Sequence, residues 1–142
     1  MAAHTATLQT NASPEAVWRL WSDVATWQQW NPDVKSADLD GPFASGTTGR
    51  MTTHRGGAHS IRLAGVQSGR AFELATAPAP LSQFVFRCEV QPDGNGSRIS
   101  QSVTMRGLLG WLYSLLMGSQ MARGFEPILQ GLARRAEQSS TG

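Results

Sequence analysis

From Val34 onward the spacing of apolar residues changes character once. From Val34 to Met105 they recur at every second position, and after Gly107 at every third or fourth. The first period belongs to strands apolar on one face, the second to a helix with one apolar stripe. A one-sided sheet followed by a helix of about thirty residues buries both apolar surfaces most directly when the helix lies across the sheet. The 142 residues are enough for one such core, so a single domain spanning 1–142 is expected.

The strand region is punctuated at Gly41-Pro42, Gly56-Gly57, Ser68-Gly69, Pro78-Ala79-Pro80 and Asp93-Gly94-Asn95-Gly96, the spacing of a meander. In the last hairpin, setting Val90 opposite Ile99 also sets Cys88 opposite Gln101, Phe86 opposite Val103 and Phe84 opposite Met105, all on one face. The other face, with Arg87, Glu89, Gln91, Arg98, Ser100 and Ser102, reads as solvated. In the hairpin before it, a four-residue turn from Gln67 to Arg70 places Leu63 opposite Leu74, with Phe72 on the same face. Around Gly56-Gly57 two registers compete. A two-residue turn pairs His54 with His59 but turns Met51 away from Ile61 and Leu63. A three-residue turn or a bulge gathers Met51, Thr53, His59, Ile61 and Leu63 on one face, and the apolar pattern favours it, with His54 outward.

Before the meander, Thr5 to Thr10 alternates as a first strand. Ser13 then stands as an N-cap, Pro14 as first helical residue and Glu15 as a first-turn acid. Val17, Leu20 or Trp21, and Val24 mark the apolar face of this helix. A second short segment carries Trp27 and Trp30 until Asn31-Pro32 ends it.

The closing helix carries Leu108, Trp111 or Leu112, Leu115, Ser119, Ala122, Phe125, Leu129, Leu132 and Ala136 on one stripe, with a kink expected at Pro127. Gly118, Ser119 and Ala122 make its middle thin, so either sheet aromatics fill the space there or the space is a cavity.

Several classes of function are excluded or disfavoured. Charged residues make up only 15% of the chain against 40% hydrophobic, which is too apolar for disorder. The longest apolar run, Leu108 to Met117, is interrupted by Gly110, Tyr113 and Ser114 and is too short for stable membrane insertion. The twelve basic and ten acidic residues are scattered, which argues against a nucleic-acid partner. One cysteine, Cys88, rules out an internal disulfide. His4, His54 and His59 lack ligand spacing, and Gly41, Gly46 and Gly49 are turn residues rather than a phosphate cradle, so neither metal nor cofactor is expected. The segment Met1 to Leu8 lacks the features of a signal peptide, and a cytoplasmic location is expected.

Three segments carry a resemblance: Ala12-Ser13-Pro14-Glu15-Ala16-Val17-Trp18, Trp27-Gln28-Gln29-Trp30-Asn31-Pro32, and the turn from Gly41-Pro42-Phe43 to Gly46-Thr47. In their order of strand, two short helices, meander and long helix they resemble the START-like (SRPBCC) superfamily, and most of all its bacterial polyketide cyclase/dehydrase and lipid-transport branch. The resemblance spans essentially the whole chain. It implies an α+β helix-grip fold, in which a curved antiparallel sheet of about seven strands wraps a long C-terminal helix, with two short helices after the first strand. It further implies a pocket between sheet and helix, opening near the short helices.

On that arrangement the expected ligand contacts are Trp27, Trp30, Met51, Thr53, Ile61, Leu63, Phe72, Leu74, Phe84, Phe86, Cys88, Gln101 and Val103 from the short helices and sheet, with Leu115, Ser119 and Ala122 from the closing helix. Gln101 interrupts an apolar face, and a buried amide needs a partner. Cys88 reads as a small buried hydrophobe. The leading expectation is reversible binding of a small hydrophobic molecule. The alternative is a polyketide aromatase/cyclase-type enzyme in which His59 and Gln101 move protons or position substrate. A third reading, an interaction module or weak homodimer, would use an apolar patch around Trp111, Leu116 and Met117.

Overall fold

The computed structural model describes residues 3–54, 57–76, 83–106 and 110–140, and, within the last helix, the side chains at 112 and 123–138. The chain begins with strand β1 (Ala3–Thr10), followed by helix α1 (Pro14–Trp21), one 3-10 turn (Val24–Thr26) and the single-turn helix α2 (Trp27–Trp30). Six strands follow: β2 (Val34–Leu39), β3 (Thr48–Thr53), β4 (Gly57–Gln67), β5 (Ala71–Thr76), β6 (Gln83–Asp93) and β7 (Gly96–Arg106). Helix α3 (Gly110–Ser140) closes the chain and is continuous through Pro127.

The strands form one antiparallel sheet in the order β1-β7-β6-β5-β4-β3-β2. Five successive hairpins account for most of it, and the first strand then pairs with the last. The sheet therefore has edges at β1 and β2, and the chain that runs from one edge to the other is the segment carrying α1 and α2. Helix α3 packs on β1 and β7 and touches both short helices. This is the helix-grip architecture.

Helix α1 starts where its sequence signals place it. The Ser13 hydroxyl accepts the Ala16 amide at 3.2 Å, Pro14 occupies the first turn, and Ala16, Val17, Leu20 and Trp21 are buried. Both residues left as alternatives, Leu20 and Trp21, face the core.

The strand registers agree with the apolar alternation in all three hairpins considered. Val90 lies opposite Ile99, Cys88 opposite Gln101, Phe86 opposite Val103 and Phe84 opposite Met105. Thr53 pairs with Gly57 and Met51 with His59, the three-residue turn that brings Met51, Thr53, His59, Ile61 and Leu63 to one face. His54 is exposed. Leu63 pairs with Leu74, but the ladder beyond it is not continuous: Ala64 pairs with Glu73, and the next pair is Gln67 with Ala71. One extra residue is taken up on β4, where Gly65 adopts φ +54°, a left-handed conformation suited to glycine.

The buried residues of sheet, short helices and α3 make one cluster, with Leu63, Ile99, Val103 and Leu132 fully enclosed. The end of the sheet nearest the C-terminus of α3 is fixed by polar contacts. Thr10 donates its hydroxyl proton to Oε2 of Glu137 at 2.6 Å and accepts the Ala12 amide at 3.2 Å. Buried Ser97 donates to the Ala12 carbonyl at 2.7 Å. The expected contacts from Leu115, Ser119 and Ala122, the patch around Trp111, Leu116 and Met117, and the Pro78-Ala79-Pro80 turn lie outside the described residues and side chains.

Candidate functional site

A cavity of about 450 Å³ lies between the sheet, the segment from α1 to the start of β2, and α3. Its aromatic wall comes from three elements: Trp21, Trp27 and Trp30 from the short helices, Phe72, Phe84 and Phe86 from the sheet, and Phe125 from α3. Val34, Met51, Leu74, Cys88, Gly124 and Ile128 also line it. The polar lining is Asn31, Asp33, Thr53, His59, Thr76 and Gln101.

The indole N–H groups of the two α2 tryptophans have partners within the protein. Trp27 donates to the Trp21 carbonyl at 3.0 Å, and Trp30 to the Thr26 hydroxyl at 3.2 Å. Their polar edges are thereby satisfied, and apolar ring surface is left for the cavity. Phe72 anchors the group, stacked on Trp27 at 6.3 Å and meeting Trp21 edge-on at 5.5 Å. Phe86 and Phe125 meet edge-on at 6.2 Å and join sheet to helix. The rim beside β2 is also held in place. The Asn31 side chain accepts the Asp33 amide at 2.9 Å, and the Asp33 carbonyl accepts the His54 amide at 2.9 Å, tying the end of α2 to the β3–β4 turn.

Of the expected contacts, Trp27, Trp30, Met51, Thr53, Phe72, Leu74, Phe84, Phe86, Cys88, Gln101 and the histidine His59 all line the cavity. Ile61, Leu63 and Val103 do not. They are buried in the core cluster and are not among the residues that line the cavity. Pointing inward is not enough where the core is close-packed. The residues not foreseen are Trp21, Asn31, Asp33, Val34, Thr76, Gly124, Phe125 and Ile128. Trp21 and Phe125 belong to apolar stripes that the sequence displays. Asp33 follows a helix stop, and nothing in its neighbourhood marks it as facing a cavity.

The chemistry available on the wall is limited. Burial pushes the Cys88 thiol up to about 12, against a smaller opposing effect of the Arg87 charge, so the thiol is neutral near pH 7 and a poor nucleophile. Asp33 and His59 sit on the β2–β4 side, whereas Gln101 is on β7 with β5 and β6 intervening in the sheet. His59 and Gln101 are thus not neighbours in the sheet. Among the described residues, no three His, Cys, Asp or Glu side chains gather to hold a metal ion. No helix among them is long and apolar enough to cross a membrane.

Solved structures of similar fold cover almost the whole chain. A protein from Thermus thermophilus shares 19% identity at a TM-score of 0.76, covering 98% of this chain and 99% of its own. A START superfamily protein from Mycobacterium smegmatis shares 18% at 0.73, covering 96% and 97%. Norcoclaurine synthase from Thalictrum flavum, in complex with dopamine and hydroxybenzaldehyde, shares 14% at 0.71, covering 96% and 87%. No curated protein sequence matches the chain. The model of the family described as polyketide cyclase/dehydrase and lipid transport matches residues 1–137, and to that family, with its helix-grip fold, this chain belongs.

Proposed function

We propose that the protein reversibly binds a small hydrophobic molecule, ring-containing or acyl, in the cavity between the sheet and α3, and carries or sequesters it in the cytoplasm without covalent chemistry. The observation that supports this is the wall: seven aromatic rings around about 450 Å³, with few titratable groups among them. That volume falls within the roughly 300 to 1,000 Å³ of small-molecule sites. A ligand of matching shape would gain dispersion contacts with such an apolar wall. The similar fold of norcoclaurine synthase, crystallised with two aromatic molecules, favours a ring-containing occupant.

Native mass spectrometry of freshly purified protein and titration with Nile red test the reading. One equivalent of dye, displaced by an apolar competitor and accompanied by a change in tryptophan fluorescence, is the expected result. Absence of both a co-purified molecule and dye binding would reject it.

A second reading, a cyclase-type enzyme using the same pocket, draws on one observation: Asp33 and His59 are both among the residues that line the cavity. Acid–base chemistry on a polyketide-like chain would use such a pair, with the aromatic wall folding the substrate. In that reading Gln101 positions the substrate rather than sharing proton transfer with His59. Turnover of a poly-β-ketone substrate that survives both Asp33→Asn and His59→Ala would remove these roles.

A further inference from the structure

We propose that the occupant carries one uncharged hydrogen-bonding group, a carbonyl or hydroxyl, on an otherwise apolar skeleton, and that Gln101 receives this group on the sheet wall. The inference rests on the binding reading above and adds the chemical class of the ligand.

Gln101 is half-buried on the inner face of β7, opposite Cys88 on β6 and Ala6 on β1, and flanked on its own strand by buried Ile99 and Val103. Its side chain makes no hydrogen bond to another described residue, in contrast with the Trp27, Trp30 and Asn31 side chains, which are all engaged. Among the described residues no fully buried side-chain nitrogen or oxygen lacks a partner. The Gln101 amide is therefore reachable, and the cavity it lines is the space from which it is reached. An amide held on an apolar wall loses hydration as a ligand enters, and it recovers that loss only if the ligand brings a matching polar atom.

The surroundings decide the charge of that atom. The cross-strand and same-strand neighbours of Gln101 are apolar or, at Cys88, a neutral thiol. The sequence from Gly110 to Ala122 contains no Asp, Glu, Lys, Arg or His, and Arg123, the next residue, is exposed. The other titratable groups on the wall, Asp33 and His59, belong to the β2–β4 side. A carboxylate or ammonium placed at Gln101 would be desolvated without an opposing charge, which is strongly unfavourable. A carbonyl or hydroxyl exchanges one water hydrogen bond for one from the amide, and the side-chain amide offers both donor and acceptor. The occupant is thus oriented with its neutral polar end toward β7 and its apolar body against the rings of Trp21, Trp27 and Phe72.

Three naphthalenes of similar size separate the outcomes: 2-acetylnaphthalene, 2-isopropylnaphthalene and 2-naphthoate, titrated by tryptophan fluorescence into wild type and Gln101→Met. The expected result is that Gln101→Met weakens the acetyl compound about tenfold relative to the isopropyl compound, the worth of one hydrogen bond made in an apolar site. In wild type, 2-naphthoate binds weakest. The carbonyl stretch of bound 2-acetylnaphthalene supplies a second readout. It shifts to lower frequency in wild type, and the shift disappears in the variant. Binding of all three to wild type with an unshifted carbonyl stretch, an unchanged acetyl-to-isopropyl ratio in the variant, or tightest binding of the naphthoate would each overturn the inference while leaving the binding reading intact. Binding of none to wild type would overturn both.

Discussion

Gly131 of α3 lies directly against the backbone carbonyl of Trp30, so close that a methyl group on Gly131 would overlap the Trp30 oxygen. The neighbour is main chain and cannot rotate aside as a side chain would. This contact sets how near α3 approaches α2, whose two tryptophans form part of the cavity wall.

Gly131→Ala therefore opposes two effects. Helix propensity favours alanine by roughly 1 kcal/mol, while displacing a backbone segment costs about 1 to 3 kcal/mol. The overlap should prevail, and urea denaturation should show net destabilisation together with weaker Nile red binding. A more stable variant would show that α2 yields easily at this point.

Gly124, also on α3, faces the cavity instead. Gly124→Leu should fill space rather than collide with main chain, and leucine is the better helix former by roughly 1 kcal/mol. The expected outcome is a melting temperature equal to or above wild type and at least a tenfold loss of Nile red affinity. Stability and binding then move in opposite directions, which separates cavity filling from general damage.

Cys88 makes stability depend on alkaline pH. Burial pushes the folded thiol up to about 12 from an ordinary value of 9.0. Above pH 9 the unfolded chain loses this proton while the folded chain keeps it, so stability falls as pH rises between the two values, by about 1.4 kcal/mol per pH unit at most. Below pH 9 this contribution is fully retained. Comparing wild type with Cys88→Ala in urea between pH 8 and 10.5 should show a steeper decline in wild type. Reaction of the native thiol with Ellman's reagent near pH 8 should be far slower than that of the unfolded chain.

Thr10→Val removes a hydroxyl that serves both the Glu137 carboxylate and the Ala12 amide. The site is buried, and the partners left behind should cost about 1 to 3 kcal/mol in denaturant unfolding. Ligand binding should change little, because this contact lies outside the cavity lining.

What could be read from the sequence follows from what periodicity encodes. Alternation identifies the inner face of each strand, which is why Cys88 opposite Gln101, and Met51, Thr53 and His59 on a common face, are legible in the sequence itself. It does not say what covers that face. Ile61, Leu63 and Val103 share the inward direction of Phe86 and Gln101, yet close packing encloses them. The extra residue at Gly65 is hidden for a related reason: a bulge changes register without changing composition, and several glycines in the sequence resemble this one. Asp33 reaches the cavity because the Asn31 turn and the His54 amide hold its backbone, a meeting of segments that no local pattern records. Trp21 and Phe125 are recognisable as core but not as wall, since that distinction depends on the spacing between a helix and the sheet.

The pairing of β1 with β7 has a consequence for biosynthesis. Ala3 finds its partner Thr104 only when nearly the whole meander has left the ribosome, and α3 follows later still. Until then the first strand has no neighbour, and the growing sheet exposes an apolar face that the closing helix has yet to cover. Contacts of such large sequence separation form slowly, and unpaired strand edges are prone to aggregation while they wait. The cavity is therefore completed only once α3 follows the meander, and a hydrophobic molecule able to enter at that stage would favour closure by binding only the finished fold.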